Sequence, residues 1–343
     1  MFTSLRYRFH NLFSPAFQWL QVEVSSLCNG ACIYCPHTIF KDDWQGRNMP
    51  LDTFRKLEPN LKRTRLVYLQ GWGEPFLNQD IFKMIKIAKN AGCLTGTTTN
   101  GILIDQDMIE KIIESELDLI AFSVAGLDKT NDTIRRGTNF NNIMESIEII
   151  NDIKQKRGLN RPSIHIAYLL LRSGINDVKN MLERFKNRGI NQIVITTLDF
   201  IAAERLKSEL IFPSNEIEYR QIADILDGVV EDGKKHDLEI RYYLGSMAKS
   251  YTSCTENIQR AAFISADGLV SPCVFLNMPV SELHYWRNDD KRKSGRLTFG
   301  NINEELLASI WRKRDYVKFR QSFGSTNIYP ACHDCPKYHM EAK

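Results

Sequence analysis

Cys28-Asn29-Gly30-Ala31-Cys32-Ile33-Tyr34-Cys35 follows directly on an apolar, alternating run at residues 19–24 that reads as a strand. Three thiolates on a loop leaving a strand can all turn toward one metal centre. Three is an informative number, because a structural zinc site takes four ligands and a redox dithiol takes two. A cube of iron and sulfide held by three cysteines keeps one iron free to bind something else. On the triplet alone, a thioredoxin-like Cys-x-x-Cys and a zinc knuckle with a distant fourth ligand remain open.

The chain of 343 residues is long enough for one large domain and a smaller one. Hydrophobic residues make up 43% and charged residues 25%, so a sizeable core fits a soluble globular protein. The net charge of +4 permits an anionic substrate but gives no basic and aromatic track for nucleic acid, and no nucleic-acid partner is expected. Eight cysteines are too sparse for a disulfide scaffold, and all but one fall into two groups with ligand-like spacing. The compartment is therefore read as reducing, and the location as cytoplasmic. No stretch approaches the roughly 20 apolar residues of a membrane span. Residues 1–20 lack the apolar core and cleavage site of an export signal. Phe2, Phe9, Leu12, Phe13 and Phe17 are expected to cover part of the core.

Along the chain, Asp52 reads as the N-cap of a helix through Phe54 and Leu57. An apolar strand at 66–69 ends in Gln70-Gly71-Trp72-Gly73-Glu74-Pro75, whose glycines let backbone approach a ligand. A helix at 80–91 precedes a threonine-rich strand at 93–99 that closes on Asn100-Gly101. Asp105 opens a helix with a stripe of Met108, Ile109, Ile112 and Ile113, and a strand at 118–124 follows. Helix 142–153, strand 163–171, helix 178–188 and strand 192–197 continue the alternation of a parallel sheet with right-handed crossovers. This periodicity does not choose between an open sheet and a barrel. In either, the Cys28 loop, residues 71–75, Thr99 and Ser123 lie past the carboxyl ends of strands and face one crevice. A polar helix at 213–237 and a strand at 238–243 then lead to a hairpin around Ala266-Asp267-Gly268, flanked by Cys254 and Cys273. A helix at 306–319 precedes Cys332-His333-Asp334-Cys335. Cys93 reads as a buried strand residue and His333 as an exposed spacer.

Taken together, the Cys-x3-Cys-x2-Cys spacing, the aromatic Tyr34 before the last cysteine and the Gly71–Pro75 loop resemble the radical S-adenosylmethionine (radical SAM) enzymes. The resemblance implies an α/β fold: a partial (βα)6 TIM-like barrel with a small C-terminal cysteine-rich auxiliary-cluster domain. It places an extension at residues 1–19, the core at 20–205, a bridge at 206–245 and the auxiliary domain at 246–343. Cys28, Cys32 and Cys35 would hold a [4Fe–4S] cluster with SAM at its open iron, and Tyr34 would lie near the adenine. Gly71, Gly73, Glu74 and Pro75 match the family's glycine-glycine-glutamate-proline motif for the methionine ammonium, with Trp72 as a departure. Thr99 and Ser123 fall where the family offers hydroxyls, and Arg135 would partner the SAM carboxylate. Reductive cleavage of SAM would give a 5′-deoxyadenosyl radical that abstracts hydrogen from a substrate. Ferredoxin or flavodoxin would supply the electron.

Cys254, Cys273, Cys332 and Cys335 are similar to the ligands of SPASM and twitch extensions and imply one auxiliary [4Fe–4S] cluster. A tetrahedral zinc site is the competing reading. Such enzymes act on peptides or proteins, as maturases, or on small cofactor precursors such as tetrapyrroles. The sequence leans to the peptide or protein class. Tyr168, Arg172 and Asp199 are candidate substrate contacts, and no catalytic side chain is assigned. A non-catalytic iron–sulfur electron carrier and a zinc-dependent nucleic-acid module are the alternatives from other classes.

Overall fold

β-Branched and aromatic residues alternating with polar ones favour strands that bury one face, and this pattern builds the centre of the protein. The computed structural model describes residues 16–246, 254–287, 289–323, 328–333 and 335–342. Its main sheet contains β1 (Phe17–Val22), β3 (Thr64–Leu69), β4 (Leu94–Thr99), β5 (Leu119–Val124), β7 (Ser163–Leu170), β8 (Gln192–Thr197) and β9 (Glu239–Gly245). Neighbours in this series pair in parallel. The first six form the partial (βα)6 barrel. β2 (Ala31–Cys32) and β6 (Arg135–Arg136) form a separate two-stranded pair.

The C-terminal part does not stand aside from this sheet. β10 (Ala261–Ile264) pairs in parallel with β1, aligning Trp19 with Ala261. The expected hairpin is β10 with β11 (Leu269–Ser271), and β14 (Gly300–Asn301) adds to its outer side. At the opposite edge β15 (Met340–Ala342) pairs antiparallel with β9. The strand at 239–245, expected as a bridge, is thus part of the sheet. β12 (Leu283–Arg287) and β13 (Asp290–Ser294) form a hairpin over the loop after β8, bridged from Trp286 to Ile201.

Each parallel strand has two unlike faces. Ile164, Ile166, Tyr168 and Leu170 of β7 join the main core, as do Ile193 and Ile195 of β8 and Ile120, Phe122 and Val124 of β5. Helices Ile81–Asn90, Gln106–Glu114 and Phe140–Arg157 add their own apolar stripes to that core. The alternate residues include Gln21, Tyr68, Thr98, Ser123, His165 and Thr196. A packed barrel interior carries branched aliphatic side chains. This inner face is mixed, the polar residues being interspersed with Trp19, Leu66, Leu119, Ala121 and Val194, and it can offer polar groups to a ligand.

Some local expectations shift. Pro50, not Asp52, occupies the N-cap of helix Leu51–Arg55, its extended backbone giving way to helix at Leu51. The helix expected at 178–188 shortens to a 3-10 turn, Val178–Asn180, and helix Met181–Phe185. The one at 306–319 breaks at Lys313, which is extended between helices Leu307–Arg312 and Arg314–Ser322. Phe17 is buried with its ring edge-on to Trp311, whereas Phe2, Phe9, Leu12 and Phe13 lie outside the described residues.

Glu23, just past β1, is 1% exposed and ties three segments together. Its backbone N–H donates to the carbonyl of Ile264 at 2.8 Å. Its carboxylate accepts from the N–H of Trp72 at 2.9 Å and of Ala266 at 3.2 Å. Burial pushes its pKa from 4.5 to about 7, against the opposing pull of those two N–H groups. The folded carboxyl thus keeps its proton where the unfolded one has lost it. Its stabilising contribution is complete below pH 4.5 and is lost as pH rises through about 7. Urea unfolding is expected to show stability falling between pH 5 and 7, with a slope of at most ~1.4 kcal/mol per unit from this group. Glu74 is raised over the same range, so Glu23→Gln, which mimics the protonated side chain, should reduce that slope and leave the part owed to Glu74; an unchanged slope would remove Glu23 from it.

Candidate active site

The cysteine loop is shaped by its own backbone. Cys32 pairs with Arg135 across the β2–β6 ladder. The Cys35 N–H donates to the Cys32 carbonyl at 3.1 Å, and Cys35 caps the short helix Pro36–Ile39. Cys28 receives the Gly30 N–H at 3.4 Å and the Asn100 side-chain amide at 3.7 Å. Burial, reinforced by the neighbouring Cys32, raises the Cys35 thiol to about 12; burial also pushes Cys28 up. Thiols so crowded and dry are poor isolated anions, and a cationic centre between them would reverse that preference. The donor set fits an iron–sulfur cluster.

The Gly71–Pro75 loop is clamped on this one. The Glu74 N–H donates to the Leu27 carbonyl at 2.8 Å, and a Cβ at Gly73 would overlap the carbonyl oxygens of Ser25 and Leu27. Glu74 is 2% exposed. Its carboxylate accepts from the Thr99 hydroxyl at 2.9 Å, the Asn100 N–H at 2.7 Å and the Phe76 N–H at 3.3 Å. Burial lifts its pKa to about 7 despite these donors. Pro75 opens a 3-10 turn, Pro75–Leu77, behind it. Glu74 therefore welds the ends of β3 and β4, and the Thr99 hydroxyl is engaged in that weld.

Ser123 sits on the inner face of β5, level with Ala167 of β7. Arg135 is 7% exposed, donates to the Tyr34 hydroxyl and lies in the field of all three thiols. Its Nε is buried without a partner. The structure thus brings Cys28, Cys32, Cys35, Tyr34, Glu74, Thr99 and Arg135 to one end of the sheet, with Ser123 on the adjoining strand. Glu23 and Asn100 belong to the same assembly. Sequence reading took Asn100 as a turn residue and passed over Glu23, whose signal was a lone acid between Val22 and Val24.

Of the candidate substrate contacts, Tyr168 packs in the outer core because its register on β7 is one residue off the inner face. Arg172 pairs with Glu218 at 2.9 Å and donates to the Leu210 carbonyl, so its guanidinium is engaged within the protein. Asp199 is found instead beside the second cysteine group. Cys254, Cys273, Cys332 and Cys335 line a cavity of about 50 Å³ with Asp199 and Lys337. Lys337 is buried there, 2.9 Å from Asp199 and 3.5 Å from Glu256. Zinc at 2.3 Å from each sulfur sets thiolates about 3.8 Å apart. Among the described residues, no three such side chains close around a single-ion position; the four cysteines instead share the lining of one cavity, and a set of four thiols suits a cluster. Cys93 is buried against the Leu61 carbonyl, apart from both groups, and His333 is exposed.

Comparison with known proteins identifies the domains that carry these two cysteine groups. The family model of the radical SAM superfamily matches residues 22–185, and that of the SPASM iron–sulfur cluster-binding domain matches residues 254–336. The chain belongs to the radical SAM superfamily. It is an enzyme whose cofactors are a [4Fe–4S] cluster, SAM and auxiliary iron–sulfur chemistry. The chain is 25% identical to the tungsten-containing aldehyde ferredoxin oxidoreductase cofactor-modifying protein of Pyrococcus furiosus, covering 93% of this chain and 87% of that protein. It is 21% identical to the Fe-coproporphyrin III synthase of Methanosarcina barkeri, covering 83% and 71%. Streptococcus suis SuiB bound to S-adenosylmethionine has the same fold, with a TM-score of 0.65, 16% identity and coverage of 98% and 74%.

The clamp between the two loops of this radical SAM enzyme is testable. Gly73→Ala is expected to cost about 1–3 kcal/mol by overpacking and to lower the iron bound per chain. Gly30→Ala, where the nearest atom would stand 3.6 Å from the new Cβ, should leave both unchanged. Equal iron and equal urea midpoints for Gly73→Ala and the unsubstituted protein would remove the clamp.

Proposed function

We propose that Cys28, Cys32 and Cys35 hold the SAM-binding cluster and that Cys254, Cys273, Cys332 and Cys335 hold one auxiliary cluster. The observation that carries this is that the first group lies past the carboxyl end of β1, while the second lines a cavity with Asp199 and Phe200, just past the carboxyl end of β8. When bound, cluster and SAM together supply a one-electron route to a radical able to take hydrogen from an unactivated carbon. The chain's own contribution is orientation and exclusion of water. Arg135 is positioned to engage the SAM carboxylate while braced by Tyr34, whose ring flanks the adenine. The Gly71 and Gly73 backbone receives the ammonium, with Glu74 and Pro75 fixing the loop and Thr99 fixing Glu74. Ser123 offers a hydroxyl to the ribose from the inner face. The electron comes from a ferredoxin or flavodoxin, in the cytoplasm. Among the described residues no helix is long and apolar enough to cross a membrane.

For substrate class, we favour a small cofactor precursor. Two of the sequence relatives that share most of their length with this chain are named for cofactor modification and iron-coproporphyrin synthesis, and the inner face of the sheet offers polar side chains such as Tyr68, Thr98 and Ser123 to a small molecule. A peptide or protein substrate, the preference from sequence, is the second reading. It is supported by SuiB, which has this fold and has been crystallised with its precursor peptide.

Anaerobically reconstituted enzyme with dithionite and SAM is expected to release 5′-deoxyadenosine. Replacing Cys28, Cys32 and Cys35 by alanine should reduce release to background while leaving about four irons per chain, one [4Fe–4S] cluster. Unchanged release in that variant would refute the assignment, and one zinc in place of residual iron would restore the zinc reading. Stimulation of release by a low-mass cell-extract fraction that survives protease treatment supports the cofactor class; protease-sensitive stimulation supports the peptide class.

A further inference from the structure

The Gly71–Pro75 loop departs from its family motif at Trp72, and the structure shows what that side chain touches. Gly71 and Gly73 are pressed so closely on Glu23 and on the cysteine loop that neither has room for a Cβ. The loop between them has no slack, and the Trp72 indole leaves it toward the C-terminal part. There its Nε1–H is shared by the carbonyls of Val274 at 3.1 Å and Asn277 at 3.3 Å. Both follow Cys273, which caps the 3-10 turn Val274–Leu276. The far side of this turn is also braced. The Asn277 amide donates to the Ser271 hydroxyl at 2.8 Å, and Arg296 donates to the Asn277 side-chain oxygen at 2.6 Å.

Ring contacts extend the link in both directions. Trp72 meets Phe275 edge-on at 5.8 Å, and Phe275 lines the four-cysteine cavity. On the other side Trp72 meets Trp44 at 6.4 Å, and Trp44 meets His37 at 5.2 Å. The Trp44 indole also donates to the carbonyl of Ser26 at 2.8 Å. A continuous run of packed side chains therefore joins the segment just after Cys35 to the segment just after Cys273. Trp72 stands in the middle of it.

We propose that Trp72 is a positioning residue that couples the SAM site to the auxiliary cluster, so that occupation of either changes the other. The coupling rests on the cofactor assignment proposed above. It acts through the backbone: any movement of the Gly71–Pro75 loop on SAM binding is delivered to the peptide groups beside Cys273 by one indole N–H. Coupling of this kind is reciprocal, so loss of the auxiliary site must weaken SAM binding as loss of Trp72 does.

The test uses anaerobic holoenzyme and its Trp72→Phe, Cys273→Ala and double variants. Trp72→Phe keeps a ring and loses the N–H. SAM affinity by equilibrium dialysis is expected to fall about fivefold in each single variant and no further in the double. Additive losses would show that Trp72 merely supports its own loop and would overturn the proposal. A second measurement needs no substitution at Trp72. The reduced auxiliary signal, isolated by subtracting the Cys273→Ala electron paramagnetic resonance spectrum, should shift when SAM is added to the unsubstituted enzyme. SAM binding with both clusters present and no shift would sink the coupling while leaving the proposed function standing. No SAM binding at all would overturn both.

Discussion

The approach of the Gly73 backbone to the carbonyl oxygens of Ser25 and Leu27 is the constraint on which the site depends. It joins two loops that leave adjacent strands, β1 and β3, and leaves no volume between them. Glu74 then carries the connection to a third strand by accepting from Thr99 and Asn100. Burying a carboxylate is unfavourable unless it is hydrogen-bonded. Glu74 meets that condition only when the ends of β3 and β4 are in place, so the carboxylate specifies that arrangement as well as stabilising it. Glu23 works in the same way on the other side, where it requires the Trp72 loop and the Ala266 turn together.

Much of this was legible in the residues because the relevant signals are local. The strand at 192–197 follows from its own alternation, and the core stripe Ile109, Ile112 and Ile113 from helical spacing. The three cysteines and the glycine-rich loop announce their chemistry by residue type. What escaped depends on distant partners. Nothing near Ala261 indicates that it will align with Trp19, and nothing in the three residues of β15 indicates pairing with β9. The hairpin of β12 and β13 escaped for another reason. Asp290, Lys291, Arg292 and Lys293 have the composition of a loop, and they form a strand because Tyr285 and Trp286 opposite them pack on Phe200 and bridge to Ile201. Tyr168 shows the sensitivity of register, where one position separates the inner face from the helix-covered core.

The auxiliary site follows a different electrostatic logic from the first. At the N-terminal site the thiols share a buried guanidinium, Arg135, and a hydrogen-bonded phenol. At the C-terminal site Lys337 is enclosed by Asp199 and Glu256, and these acids outweigh burial in keeping it charged. Asp199 comes from the loop after β8, so this ion pair also fastens the auxiliary cavity to the barrel. A buried ion pair adds little net stability on average, but removing one partner is costly. Its value here lies in holding the cavity against the strand ends.

The pairing of β10 with β1 has a consequence for how the protein is made. At ~5–20 residues per second, the first strand leaves the ribosome roughly ten to fifty seconds before the segment that will cover its outer edge. During that interval the backbone groups facing β10 have no partner. The outer edge of the first strand is therefore covered only after every other barrel strand has been made, and the opposite edge receives β15 later still.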